Sequence, residues 1–212
     1  MDTTLIFVRH GQSEANTKQY FAGHYDAPLT AIGLAQAKLM ADYVVKHPIS
    51  AIYASDLSRA TDTALPIAHK LSISICKESR FREINAGVWQ KMDFEHLLQD
   101  ELYLEWRKGT VSIAPDDGES MEELFARVNE ATEEIVSKHT GKTVVIVTHA
   151  TPIRVLKTRW LGLPLSELFS IESPPNASVT IVKYRSQGTQ EITEYGENRF
   201  LGKLSSAATT QM

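Results

Sequence analysis

Leu5-Ile-Phe-Val8 runs straight into Arg9-His10-Gly11. Four apolar residues without polar alternation read as a strand buried on both faces. It stops at a cation, an imidazole and a glycine, and in open α/β sheets ligands bind at that C-terminal edge. The pattern recurs downstream. Thr143-Val-Val-Ile-Val-Thr148 carries the strongest strand signal in the chain and delivers His149 at its end. Ala51-Ile-Tyr-Ala54 is a second short buried run, leading through Ser55-Asp56 into a helix with Arg59 in its first turn. As parallel neighbours, the three strands would bring these ends to one edge.

Outward from these runs, residues 12–29 lack a period and carry Asn16, Gly23 and Asp26-Ala-Pro28, as in a long functional loop with room for a short helix. Thr30 reads as the N-cap of a helix to about His47, with Ile32, Ala35, Leu39 and Tyr43 on its buried face and Pro48 ending it. The helix after Asp56 runs to about Leu71 and should kink at Pro66. Ser72–Cys76 reads as a third strand, with Cys76 a small buried side chain. Residues 80–118 are the least regular, with a helix over Asp93–Lys108 and a turn at Pro115-Asp-Asp-Gly118. Ser120-Met-Glu-Glu123 is a capping box launching a helix to about His139. Pro152 lies near the first turn of another, ending near Leu161. Val179–Val182 and Glu191–Glu194 supply later strands, with an antiparallel arrangement open. This order predicts a three-layer α/β/α sandwich around a mostly parallel sheet of about six strands, with an irregular cap from residues 84–118. Residues 1–204 are expected to form a single catalytic domain, and 205–212 a disordered tail.

The net charge of −4 leaves no basic footprint for nucleic acid or an anionic membrane. The apolar run before Arg9 is too short for a signal peptide or membrane span, so the cytoplasm is the expected location. One cysteine excludes an internal disulfide. His24, His47, His69, His96 and His139 show no metal-ligand spacing and read as surface or core residues, so neither a metal nor another cofactor is expected. A homodimer stays open.

Against that acidic background, Arg9, Arg59, His10 and His149 form a local concentration of cationic groups. Such a cluster is repulsive when empty and wants a multivalent anion. Phosphate fits, because arginine's planar fork pairs bidentately with its oxygens, so the expected partner is a small phosphorylated substrate. Neutral imidazole is a competent nucleophile at pH 7, and adjacent arginines push His10 toward that form. Taken singly, each residue has an ordinary reading. A strand-end His10 caps, Arg59 is a solvated helix residue, and His149 caps the helix that follows.

The ordered pieces change that balance. They are Val8-Arg-His-Gly-Gln-Ser-Glu-Ala-Asn16, Ala22-Gly-His-Tyr-Asp-Ala-Pro-Leu-Thr-Ala-Ile-Gly33, Tyr53-Ala-Ser-Asp-Leu-Ser-Arg-Ala-Thr-Asp-Thr-Ala64 and Phe81-Arg-Glu-Ile-Asn-Ala-Gly-Val-Trp89, closed by Gly118-Glu-Ser120 and Val147-Thr-His149. In this order the chain resembles the histidine phosphatase superfamily, which contains cofactor-dependent phosphoglycerate mutases and many small phosphatases. The resemblance implies that His10 attacks phosphorus and carries the phosphoryl group. It implies that Arg9, Arg59 and His149 surround the phosphoryl oxygens, with Asn16, Gly23 and Ala150 adding phosphate contacts. It also implies that Glu83 protonates the departing alkoxide and later deprotonates water. Glu14 is a lower-ranked carboxylate.

Ala22 stands where many relatives have serine or glutamine, Trp89-Gln90-Lys91 replaces a frequent Trp-Glu-Gly, and Ala150 replaces a frequent glycine. These departures bear on substrate preference. Trp89, Phe94, Tyr103 and Trp106 either line a substrate pocket or pack the cap. The resemblance points to a metal-independent phosphomonoesterase of the histidine acid phosphatase type. A phosphoglycerate mutase is the alternative, although only 34 residues separate Glu83 from Gly118, too few for most of a mutase's cover, and Lys108 follows Arg107 where a mutase has paired arginines. A non-catalytic phosphate-binding module is the further alternative, disfavoured by the presence of both His10 and Glu83.

Overall fold

The computed structural model describes residues 1–207. The elements run β1 (Thr3–Arg9), α1 (Glu14–Lys18), α2 (Ala31–Val44), β2 (Ile49–Ala54), α3 (Ser58–Leu71), β3 (Ile75–Lys77), α4 (Phe94–Leu97), α5 (Glu101–Arg107), α6 (Met121–Lys138), β4 (Thr143–Thr148), α7 (Ala150–Trp160), β5 (Val179–Tyr184) and β6 (Gln190–Glu197). The six strands form one sheet in the order β3-β2-β4-β1-β5-β6. The first four in that order are parallel, and β5 and β6 join antiparallel. Helices cover both faces, giving the expected α/β/α layering.

The alternation of side chains along each strand feeds two cores. Leu5, Phe7, Val144, Ile146 and Val182 point to the side of α6 and α7, packing with Leu124, Val128, Ile153 and Leu156. Ile6, Val8, Val145, Val147 and Val179 point to the side of α2 and α3, packing with Met40, Val44, Ala64 and Ile67. Burial on both faces explains why these strands lack polar alternation. Among the described residues, no helix is long and apolar enough to cross a membrane.

The topology also sets the position of the site. β1 and β4 are neighbours with Arg9 opposite Thr148, and β4 sets Val147 beside Ala54 of β2. The chain leaves β1 toward β2 on one side, and leaves β4 toward β5 on the other. That is a topological switch point, and the crevice it opens lies at the ends carrying His10 and His149.

Several expectations need correction. Helix α2 starts at its Thr30 cap as read, but its buried residues are Gly33, Gln36, Ala37, Met40, Ala41 and Val44, while Ile32 and Leu39 are exposed. Small residues also dominate the buried face of α3, so the two helices meet through a small-residue seam that hydrophobicity alone does not reveal. The third strand is Ile75–Lys77 at the sheet edge, so Cys76 is exposed rather than buried. The helix expected over Asp93–Lys108 is two short helices, because Asp100 accepts from Tyr103 N–H and starts a new one. Of the expected 205–212 tail, Ser205–Ala207 close a 3₁₀ segment, and 208–212 lie outside the described residues.

Helix α2 is pressed onto the loop after β1 through two glycines. A Cβ on Gly33 would lie 2.1 Å from the Gln12 carbonyl oxygen, and one on Gly11 would lie 2.6 Å from the Gly33 oxygen. Neither clash involves a side chain that can swing away. Gly33→Ala should therefore cost roughly 1–3 kcal/mol in urea unfolding, whereas Ile32→Ala should stay within about 0.5 kcal/mol. A loss of roughly 2–5 kcal/mol for Ile32→Ala would restore the face first read from the sequence.

Candidate active site

The end of β1 delivers its two polar residues in different ways. Arg9 closes the strand, is buried, and donates through Nη1 to the Pro174 carbonyl at 2.7 Å. His10 follows, its N–H continuing the ladder to Thr148 O at 2.9 Å. Its Nδ1 lies 2.7 Å from the Gly11 carbonyl. A carbonyl only accepts, so Nδ1 carries the proton and Nε2 keeps its lone pair. Burial first, and then the charges of Arg59 and Arg9, hold the His10 pKa well below the usual imidazole range. The neutral form is the ground state of this ring at pH 7.

Arg59 sits in the first turn of α3, buried. Its guanidinium donates to Gly23 O at 2.8 Å, Tyr25 O at 3.0 Å and His149 Nδ1 at 3.3 Å. Because Nδ1 of His149 accepts, its Nε2 bears the proton and donates to Ser55 Oγ at 2.8 Å. The two imidazoles lie edge to face with centroids 5.1 Å apart. Burial, again the largest cause, keeps His149 neutral, and it brings Arg9 and Arg59 down to about 10, which leaves both charged at pH 7.

Glu83 is the buried counterpart. Its Oε1 accepts from Ile84 N–H at 2.9 Å, and its Oε2 is approached by Thr151 N–H at 3.4 Å. Its backbone carbonyl is gripped by Arg127 Nη2 and His24 Nε2, each at 2.9 Å. Arg127 also bonds the carbonyls of Arg80 and Arg82 and the carboxylate of Glu119. One side chain on α6 thereby fixes the turn that carries Glu83.

A recess of about 360 Å³ is lined by Arg9, His10, Asn16, Gly23, Arg59 and Glu83, with Ser13, Ala15, Tyr20, Phe21, Ala22 and Phe94. Six expected residues thus meet at one place. His149 and Ala150 do not line the recess. His149 stands behind His10 against Arg59, and Ala150 is the buried first residue of α7. Gly23 presents its carbonyl to Arg59, and the Asn16 Oδ1 is held by Ser13 and Asn176. Glu14 pairs with Lys18 on the exposed side of α1. Trp89, Tyr103 and Trp106 pack the cap, while Phe94 lines the recess.

Residues missed from the sequence are mostly ones that hold others. Asn176 donates to His10 O and Asn16, Thr63 accepts from Gly11 N–H, and Ser55, His24 and Arg127 act as described. Ser55, His24 and Thr63 lay inside quoted motifs without a role assigned. Asn176, in Pro174-Pro-Asn-Ala177, carried no periodic signal. His24, expected to be an ordinary surface or core residue, sits against the turn of Glu83.

A family model for the histidine phosphatase superfamily (branch 1) matches residues 5–197. A phosphoserine phosphatase of Hydrogenobacter thermophilus is 34% identical over 84% of this chain and 85% of its own. An Escherichia coli protein named "probable phosphoglycerate mutase" is 37% identical over 76% of this chain and 75% of its own. The solved structure of a mycobacterial glucosyl-3-phosphoglycerate phosphatase superposes with a TM-score of 0.84 at 26% identity, covering 92% of this chain and 99% of that one.

Two imidazoles kept neutral by burial tie stability to pH. Unfolded, each binds a proton near pH 6.5, whereas folded, each binds it only at lower pH. Between those values the unfolded chain holds more protons, so their contribution is complete above about pH 6.5 and is lost as pH falls. The thermal midpoint should drop from pH 7 to pH 5, and His10→Asn should flatten that drop. Per titrating histidine the slope is at most about 1.4 kcal/mol per pH unit. Identical acid slopes in both proteins would contradict the assignment.

Proposed function

The chain belongs to the histidine phosphatase superfamily, and from that premise we propose that it hydrolyses small phosphate monoesters through a phosphohistidine on His10, without a metal. The observation that carries this reading is the His10 Nδ1 contact to Gly11 O, which leaves Nε2 basic in a ring lining a recess with two buried guanidiniums. Phosphatase activity is what the family and its named relatives support at the coarser level.

In the first displacement His10 Nε2 bonds to phosphorus as the ester P–O bond breaks. Protonated Glu83 gives its proton to the departing oxygen. In the second, water attacks phosphorus, the N–P bond breaks, and Glu83 recovers a proton from that water. The products are an alcohol and inorganic phosphate, with the enzyme unchanged. Arg9 and Arg59, with Asn16, hold the phosphoryl oxygens, doing with fixed charge what metal ions do elsewhere. His149, fixed by Ser55, backs Arg59. The Thr151 N–H beside Oε2 orients the Glu83 carboxyl group.

The mutase alternative needs the same recess to retain a bisphosphate. Among the described residues, Arg9 and Arg59 are the only cations lining it, which favours release of phosphate to water.

Leaving-group dependence separates the two roles. Wild type should turn over p-nitrophenyl phosphate equally with and without a chelator, and His10→Ala should lose at least about 10³-fold in kcat/KM. Glu83→Gln should lose roughly 10²–10⁴-fold on alkyl phosphates, whose alkoxide needs a proton, and much less on p-nitrophenyl phosphate. Activity retained by His10→Ala, or abolished by the chelator, would contradict the proposal.

A further inference from the structure

Away from the arginines the recess changes character. Its outer wall is Ala15, Tyr20, Phe21, Ala22 and Phe94. Two stretches distant in sequence build that wall, and backbone hydrogen bonds zip them together. Phe94 N–H donates to Gln19 O at 3.1 Å, Phe21 N–H to Met92 O at 3.0 Å, and Lys91 N–H to Phe21 O at 2.8 Å. Tyr20 and Asp93 form an antiparallel bridge between them. Behind the wall, Phe21 packs against Phe94, Trp106 and Tyr103 with centroids 5.9, 6.0 and 6.5 Å apart. The aromatic surface is therefore braced from both directions.

The basic groups around this wall have partners of their own. Lys18 pairs with Glu14 at 2.8 Å, and Lys91 Nζ sits 4.1 Å over the Tyr25 ring. Behind Glu83, Arg82 pairs with Asp56 at 2.5 Å, Arg127 with Glu119 at 2.5 Å, and Arg80 with Glu78 and Glu134 at 2.8 and 2.7 Å. A carboxylate on the leaving group would lose water against this wall without gaining a cation, which is unfavourable. A flat apolar group would gain ring contacts and shed water.

We propose that the preferred leaving group is uncharged and aromatic or arylalkyl, in contrast to the phosphoserine and glucosyl-3-phosphoglycerate named for its relatives. The inference rests on the hydrolase reading above and adds a substrate class to it. Ala22 fits the same pattern, since it adds a methyl group to that wall.

Benzyl phosphate, ethyl phosphate and phosphoserine make the test, because all three release a primary alcohol and so differ mainly in what meets the wall. Benzyl phosphate should exceed ethyl phosphate by roughly ten- to a hundredfold in kcat/KM, with phosphoserine no better than ethyl phosphate. Phe94→Ala should pull the benzyl-to-ethyl ratio toward one. Phe94→Leu, which keeps an apolar side chain and guards against misfolding, should give an intermediate ratio. Benzylphosphonate should likewise inhibit wild type at lower concentration than ethylphosphonate. Phosphoserine matching benzyl phosphate, or a ratio unmoved by both variants, overturns this inference alone. A protein that hydrolyses none of the three overturns the hydrolase reading, and this inference with it.

Discussion

Two guanidiniums and two imidazoles, all buried, share one end of the sheet with a single carboxylate. If every one of these groups carried its charge, the empty site would be strongly repulsive. The protein resolves this by burial, which strips both imidazoles of their protons while leaving Arg9 and Arg59 cationic. Arg9 and Arg59 then outnumber Glu83, which suits the site to an anion. The same discharge of His10 that lowers repulsion also makes it a nucleophile, so anion binding and phosphoryl transfer share one electrostatic cause.

Most of the structure exists to keep those few groups in register. The parallel pairing of β1 with β4 sets the two histidines side by side at the switch point. The glycine contact between α2 and the loop after β1 lets the helix close over the residues that follow His10. Arg127 gathers the carbonyls of Arg80, Arg82 and Glu83 and the carboxylate of Glu119, which holds Glu83 opposite them from a different layer. The site is assembled from five separated stretches, none of which could present it alone.

What was legible in the sequence follows from how local each signal is. The continuous apolar runs at Leu5–Val8 and Thr143–Thr148, and the caps at Thr30 and Ser120, report short-range physics and fell where expected. Arg9, His10, Arg59 and Glu83 were legible because they stand at the ends of such elements or inside ordered motifs. The buried face of α2 was not, because small residues packing helix to helix carry less hydrophobic signal than the exposed Ile32 and Leu39. Cys76 was misplaced because a sheet-edge strand of three residues looks like a buried one when its neighbours are unknown. Asn176, His24 and Arg127 stayed hidden since their work is to hold carbonyls of distant segments, and no spacing encodes that. The engagement of both His149 ring nitrogens by Arg59 and Ser55 likewise needs coordinates.

The nucleophile proposed for this site is one particular nitrogen, Nε2 of His10, freed because Nδ1 is committed to Gly11. Rapid quenching of the enzyme during turnover of a ³²P-labelled ester, followed by peptide mapping in alkali and phosphorus NMR of the labelled peptide, reads that atom directly. The prediction is label confined to the peptide containing His10, bound at Nε2. Label on another residue, attachment at Nδ1, or no trapped phosphoenzyme under conditions of measured turnover would contradict it.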